Sequence, residues 1–439
     1  MSIIHGDTSG TTRRNILKGI GAGLAMGLTA GNHGAFAGVA PSDKIRIGSI
    51  GVGGMGTGRL REFMKQPDVS VAAICDLDQI RLDRALAEAE KQQGQKPQGF
   101  RDFRKLLELK DLDVVVIATP DHWHALPAIH AFKAGKDVFV EKPLSYSIGE
   151  GRAMVRAAQA NKRVSQMGNH IHNDLPNFRR VVEIVRSGML GKISRVACWK
   201  TSLLASKLGT PPDCPPPAEL DYDFWLGPAP RRPYNPNRSH GSFRYFWDYS
   251  GGIFIDFWAH ITDVAYWALE LKAPNSVASL GGRYFISDNT ETPDTLDLIY
   301  EFSNLDMTWT LNPMPIPGFE HMGGIGCIFQ GTDATLVTNY QTHELYVKGK
   351  NVPEFKRPEP SIPDSPGHIR EFLDAVKSRQ RTTCDVEYGH QLTKGGLLGN
   401  IAFRLGRRIY WDDTRERVLG DSVAGRMVTR RYRKPWKLT

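Results

Sequence analysis

The stretch that most restricts what this chain can fold into is IRIGSIGVGGMG, residues 45–56. Ile45 to Ile50 reads as an apolar strand. Gly51-Val52-Gly53-Gly54-Met55-Gly56 reads as a tight turn, and the residues after it as a helix. A second apolar run, VSVAAICDLD, carries Asp76, twenty positions past Gly56. A lone glycine fingerprint is weak evidence. Between two strands, opening a helix, it has the context of a βαβ unit that holds a dinucleotide pyrophosphate at the helix N-terminus. Gly51 permits the turn, Gly53 lets backbone approach the phosphates, and Gly56 allows close helix–strand packing. Val52, Gly54 and Met55 complete the loop. Asp76 is the candidate for hydrogen bonding the ribose diol. A carboxylate there repels a 2′-phosphate and favours NAD; Asp78 and Arg81 keep NADP open.

The pattern continues as alternating strand and helix. DLDVVVIATP is followed by a helix from about Ala125 to Ala134, then DVFVEKP, a helix from about Ile148 to Ala160, and RVSQMGN. Continuous apolar strands separated by helices predict a doubly wound parallel sheet covered on both faces, spanning residues 43–165. Ligands of such sheets sit at the carboxyl ends of the strands. Thr119-Pro120 and Glu141-Lys142-Pro143 fall at such ends, so Lys142 is expected in the dinucleotide crevice. His124 and Glu141 are grouped with the cofactor site, although Glu141 could instead pair with Lys142.

The net charge of +9 on 439 residues is unevenly spread. Residues 1–37 carry +2 and residues 422–439 carry +6, leaving the body near neutrality. That distribution predicts a solvated basic tail over 421–439 and argues against nucleic-acid binding. Five cysteines without a C-x-x-C pair suggest neither a disulfide framework nor a zinc knuckle. Near the N-terminus, Thr12-Arg13-Arg14 precedes a mildly apolar, Gly/Ala-rich stretch too short for a comfortable membrane span. Ala35-Phe36-Ala37 is a small-residue cleavage site. The paired arginines resemble a twin-arginine signal over residues 1–37, a route that exports folded proteins. The expected location is periplasmic or secreted, and an uncleaved signal would hold the chain at the membrane.

Beyond residue 165 the pattern changes, and residues 166–420 read as a second α/β domain. Residues 201–250 form a long segment rich in proline, aromatics and arginine; such loops are functional or disordered. Their aromatic content argues against disorder. Aromatics beside Arg and Asn suit a carbohydrate, with an arm packed on a partner subunit as the alternative. GGIFIDFWAHITDVAYWALELK reads as a helix apolar nearly all round, hence buried. Asp256, His260 and Asp263 nevertheless share one face of it. A buried ionisable stripe is paired or functional. Later segments read as strands of a mostly antiparallel open sheet, followed by two helices.

These residues resemble the glucose–fructose oxidoreductase / inositol dehydrogenase / MocA family. The glycine fingerprint, the ATP turn, GKDVFVEKPLS and the later GG…D-x-x-x-H carry the likeness over essentially the whole chain after residue 37. The resemblance implies a Rossmann domain followed by an open-sheet α/β domain, a nicotinamide cofactor and a sugar or polyol substrate. It places the matching Asp256 and His260 beside Lys142 at the substrate. It also implies a homo-oligomer, dimer or tetramer, formed through the exposed sheet face.

The expected chemistry is hydride transfer between a sugar carbon and the nicotinamide of a tightly bound NAD. His260 is the candidate base, Asp256 its orienter, and Lys142 the donor to the reacting oxygen. Asn169, His170, Arg244 and Asp263 are further substrate-site candidates. Three other readings stay open. The first is redox-neutral glycoside cleavage by transient oxidation, elimination or hydrolysis, and re-reduction. The second is a metal site using His122, His124, His170, His172 and Asp256-x-x-x-His260, although no H-E-x-x-H is present and no metal is expected. The third is a non-catalytic sugar-binding protein on the same fold.

Overall fold

A computed structural model describes residues 44–201 and 208–438. The expected export signal therefore lies outside the described residues. No helix among the described residues is long and apolar enough to cross a membrane.

The first sheet contains β1 (Ile45–Ile50), β2 (Val69–Cys75), β3 (Gln98–Phe100), β4 (Val114–Ile117), β5 (Asp137–Val140) and β6 (Ser165–Met167). Its order is β3-β2-β1-β4-β5-β6 with every neighbouring pair parallel. β4 and β5 are buried along their whole length, as the apolar runs over 114–117 and 138–140 require; Asp137, which opens β5, is buried against Arg379. Helices Ala125–Lys133 and Ile148–Ala160 cover one face, within about a residue of their expected bounds. The other face is covered by Gly54–Met64 and by a segment from far down the chain, His368–Ser378. Phe372 packs edge-on against Phe63 and Phe139, with ring centroids 6.3 and 5.7 Å apart. The expected boundary after residue 165 thus does not capture all of the first layer. The amphipathic pattern of a late helix does not say which sheet it will cover.

The second sheet has ten strands: β7 (Ile193–Thr201), β8 (Ser276–Gly282), β9 (Thr295–Glu301), β10 (Asp306–Asn312), β11 (Ile325–Gly331), β12 (Thr335–Thr338), β13 (His343–Val347), β14 (Lys350–Asn351), β15 (Ile409–Asp412) and β16 (Arg417–Leu419). The order is β14-β13-β12-β11-β7-β10-β9-β8-β15-β16. Only the central β7–β10 pair is parallel. Helices Gly252–Leu269 and Val386–Leu405 pack on one face. The sheet also carries exposed Leu280, Ile299 and Tyr410. The α/β class with a Rossmann sheet followed by a mostly antiparallel open sheet is the one expected.

The basic C-terminal segment is not a solvated tail. Ser422–Met427 is helical, capped by the Asp421 side chain. Arg430, 11% exposed, pairs with Glu150 at 2.9 Å, and Tyr432 donates its hydroxyl to the same carboxylate. Trp436 stacks on Phe224 at 5.2 Å and meets Trp123 edge-on at 4.9 Å. Charge counting missed this because the segment's aromatics and a buried partner carboxylate, rather than its net charge, decide where it lies.

Candidate active site

The carboxyl ends of β1, β2, β4 and β5 open on a cavity of about 350 Å³. Gly51 turns the chain at φ +82°, and its N–H bonds to the Cys75 carbonyl at 2.8 Å. A Cβ at Gly56 would lie 1.9 Å from the Gly51 carbonyl oxygen, so only glycine allows the helix to start this close to β1. Gly51, Gly53, Gly54 and Met55 line the cavity; Val52 and Gly56 are buried behind it. Asp76 also lines it. Its Oδ2 accepts from the Val52 N–H at 2.7 Å and its Oδ1 from the Asp78 N–H at 2.9 Å. Burial raises the Asp76 carboxyl, against the pull of those two N–H groups. These residues fit a dinucleotide: an uncapped helix N-terminus beside a glycine turn, with a carboxylate at the end of the next strand. Arg81 lies over Gly53 and its charge acts on the Asp76 carboxyl, so a cation stands beside that carboxylate.

Thr119, Pro120, His124, Glu141 and Lys142 line the same cavity. His124 ties the two strand-end turns together. Its Nδ1 lies 2.7 Å from the Pro143 carbonyl and its Nε2 2.9 Å from that of Thr119. Glu141 does not serve as the partner of Lys142. It pairs instead with Arg59 on the glycine-loop helix at 2.5 Å, a contact with no signal in the local sequence. Lys142 Nζ reaches across to the second domain. It sits 2.6 Å from Asp256 Oδ1 and 3.2 Å from the Asp256 carbonyl. Arg244 Nε lies 3.3 Å from the other carboxylate oxygen. Burial would raise the Asp256 carboxyl, but Lys142 and Arg244 outweigh it and hold the group below its ordinary value.

One turn on, His260 is pushed down to about 3 by burial and by Lys142. That shift favours the neutral imidazole near pH 7. His170 stands beside it, ring centroids 6.0 Å apart, and Tyr340 lies on another side at 6.4 Å. Asp263 and Asn169 have a different place. Asp263 is fully buried and accepts from Asn169 Nδ2 at 2.7 Å and from the Tyr388 hydroxyl; His172 Nε2 lies 3.1 Å away. This knot holds the helix against β6 and leaves no free carboxylate edge for a ligand.

The aromatic segment before residue 250 lines the cavity that holds both the glycine loop and Lys142 with Asp256. Leu220, Phe224, Trp225, His240 and Phe243 line the dinucleotide cavity, opposite the glycine loop. The segment is bolted to the β2 end: Asp221 N–H bonds to the Leu77 carbonyl at 3.1 Å, and Gln79 N–H to that of Glu219 at 3.1 Å. Arg101 donates to both carbonyls. Such contacts join residues far apart in sequence, and only the aromatic density of the segment hinted at them. Of the histidines weighed as metal ligands, His122 bonds to the Trp225 carbonyl and His124 to the two carbonyls above. Among the described residues no three His, Cys, Asp or Glu side chains converge as a metal site.

The buried neutral histidines carry a consequence for acid stability. His260 and His122 each fall from 6.5 to about 3 on folding. Their folded values lie below their unfolded ones, so the associated stability is full above about pH 6.5. It is lost as pH falls toward about 3, at up to ~1.4 kcal/mol per pH unit for each histidine. Denaturant unfolding at pH 7, 6 and 5 is expected to show this decline. A stability unchanged between pH 7 and 5 would contradict it.

A Rossmann sheet whose glycine cradle and strand-end Lys142 face Asp256 of a second α/β domain defines a dinucleotide-dependent oxidoreductase fold. The chain belongs to the Gfo/Idh/MocA family: residues 45–169 match its oxidoreductase NAD-binding Rossmann fold, and residues 176–278 and 323–438 match an oxidoreductase C-terminal alpha/beta domain. A glycosyl hydrolase family 109 protein of Shewanella baltica (strain OS195) is 32% identical over 203 residues, covering 41% of this chain and 44% of that protein. An alpha-N-acetylgalactosaminidase of Shewanella oneidensis is 30% identical over 191 residues, covering 42% and 41%. The chain thus matches less than half the length of these curated relatives. Among solved structures, the WlbA dehydrogenase of Chromobacterium violaceum, in complex with NADH and UDP-GlcNAcA, has a TM-score of 0.61 at 18% identity, covering 86% of this chain and 99% of that one. A levoglucosan dehydrogenase in complex with NADH and levoglucosan gives 0.59 at 18%, covering 84% and 99%.

Proposed function

We propose that this protein oxidises a hydroxyl-bearing carbon of a sugar, polyol or glycoside at Lys142, Asp256 and His260. The observation that carries the reading is the 2.6 Å pair between Lys142, at the mouth of the dinucleotide cavity, and Asp256, one helical turn from His260. NAD, held by the glycine loop and Asp76, supplies the hydride acceptor. Lys142 donates to the reacting oxygen and stabilises the negative charge that develops as the hydroxyl proton leaves. His260 is neutral and has a lone pair to receive that proton. With its conjugate acid near 3 it is a weak base, so Lys142 carries more of the barrier reduction. Asp256 fixes the ammonium and offers its carboxylate to a neighbouring hydroxyl.

A second reading is favoured by a specific observation. The segment containing Leu220 to Phe243 forms one wall of the cofactor cavity and is hydrogen bonded to the β2 end, and Trp436 packs behind Phe224. A cofactor held against such a fixed wall is retained between turnovers. With relatives named as glycosyl hydrolases, this supports transient oxidation, cleavage at a neighbouring position and return of the hydride. Export by the twin-arginine route, carrying NAD inside the folded enzyme, and assembly through the sheet bearing Leu280, Ile299 and Tyr410 belong to the same proposal.

The test uses purified full-length protein, whose nucleotide is first released by denaturation and identified by mass spectrometry. The native protein is then incubated with a panel of glycosides, including N-acetylhexosaminides, and with free sugars. Released aglycone without NADH accumulation marks the redox-neutral cycle. Keto-sugar with stoichiometric NADH marks the simple dehydrogenase. Protein that neither contains nor binds a dinucleotide would overturn both.

A further inference from the structure

The basic charge of the C-terminal segment, unexplained by the redox site, has a place in the fold. Arg426, Arg430 and Arg431 converge with Arg404, from the end of helix Val386–Leu405, on a second recess of about 330 Å³. This recess lies behind the Lys142–Pro143 turn and meets the catalytic cavity only at Asp121. Asp121 is buried, and its carboxylate accepts from the Ser250 hydroxyl. Burial raises its carboxyl.

The other charges around the recess are already matched. Arg430 pairs with Glu150 at 2.9 Å, and Asp248 pairs with Arg232 at 2.5 Å. Arg404, Arg426 and Arg431 are exposed and make no direct ion pair among the described residues; burial raises the Asp248 carboxyl, and the charge of Arg404 does act on it, pulling it down. Arg404 is held over the Trp247 ring at 5.1 Å, and Arg430 over Tyr146 at 4.4 Å. Three unmatched guanidinium groups around one concave, aromatic-walled space repel one another until an anion joins them. The polar floor, Ser250 and Asn400, suits hydroxyl groups.

We propose that this recess is a second binding site, distinct from the hydride-transfer site, for an oxyanion: a carboxylate, sulfate or phosphate, free or carried on a sugar. The oxyanion is bound by Arg404, Arg426 and Arg431. A sugar bearing it lies against Trp247.

The test is isothermal titration of the full-length protein, with its bound cofactor, using sodium sulfate, glucuronate and glucose at matched ionic strength. Sulfate and glucuronate are expected to bind and glucose not. The Arg404→Ala/Arg431→Ala variant is expected to weaken binding roughly tenfold or more. Arg404→Gln/Arg431→Gln provides a version with less loss of packing, and nucleotide content with circular dichroism reports whether each variant is folded. Binding of sulfate without glucuronate assigns the site to a free inorganic oxyanion and upholds it. Glucose binding as tightly as glucuronate, binding unchanged in both folded variants, or no binding of either anion overturns it.

Discussion

Lys142→Met is expected to lower kcat/KM by about a thousandfold while leaving bound nucleotide and fold intact. A positioned donor to a developing oxyanion is worth roughly a hundred- to a thousandfold, and proton-transfer assistance adds to that. The Lys142 ammonium is the cation closest to Asp256, at 2.6 Å, and it also lowers the His260 imidazole. Removing it therefore acts on all three groups. Asp256 loses its main counter-charge and its carboxyl rises, with Arg244 at 3.3 Å as the remaining partner. His260 becomes more basic. Two further signatures follow. The pH profile of residual activity should acquire a titration nearer neutrality, and Asp256→Asn added to Lys142→Met should cost far less than in the wild type. His260→Asn is expected to lose less than Lys142→Met, since an imidazole with a conjugate acid near 3 gains little from accepting a proton in the resting site. A Lys142→Met enzyme with nearly full turnover would remove the lysine from the chemistry.

The second large effect concerns the cradle. Gly56→Ala places a Cβ 1.9 Å from the Gly51 carbonyl oxygen, where the obstacle is backbone and no side chain can rotate away. We expect a loss of about 3 kcal/mol of stability, read as a shifted denaturant midpoint, together with loss of bound nucleotide. Gly58→Ala is the internal control. A Cβ there meets nothing within 4 Å, and alanine in a helix interior is favoured over glycine by about 1 kcal/mol. It should be neutral or stabilising with full nucleotide content. A Gly56→Ala protein as stable and as loaded as the wild type would refute the close-packing role of that glycine.

The comparison of sequence and structure divides along a physical line. The parallel sheet was legible because β4 and β5 are buried on both faces and so run almost wholly apolar, the exception being Asp137, which is paired with Arg379. The glycine loop was legible because a positive φ at Gly51 and the missing space at Gly56 admit almost no other residue. Lys142 and Asp256 could be placed at strand ends and helix faces by periodicity, and the family likeness set them beside each other.

What local pattern could not carry is partner choice. Asp256 and Asp263 lie on one helix face, yet one meets Lys142 at the cavity and the other is consumed by Asn169, His172 and Tyr388. Glu141 sits next to Lys142 in the chain but pairs with Arg59, 82 positions away. The aromatic segment before residue 250 lines the dinucleotide cavity, and the basic terminus is drawn in by Glu150 and by the rings of Trp123 and Phe224. The sequence by itself determined the strands, the turn that cradles a dinucleotide and the residues able to do acid–base and redox-coupled chemistry, since each depends on local sterics or on burial with a fixed period. Only the tertiary structure decided which charge neutralises which, what lines the cofactor cavity and where the surplus arginines gather. Those outcomes depend on distances between segments that the chain brings together after folding.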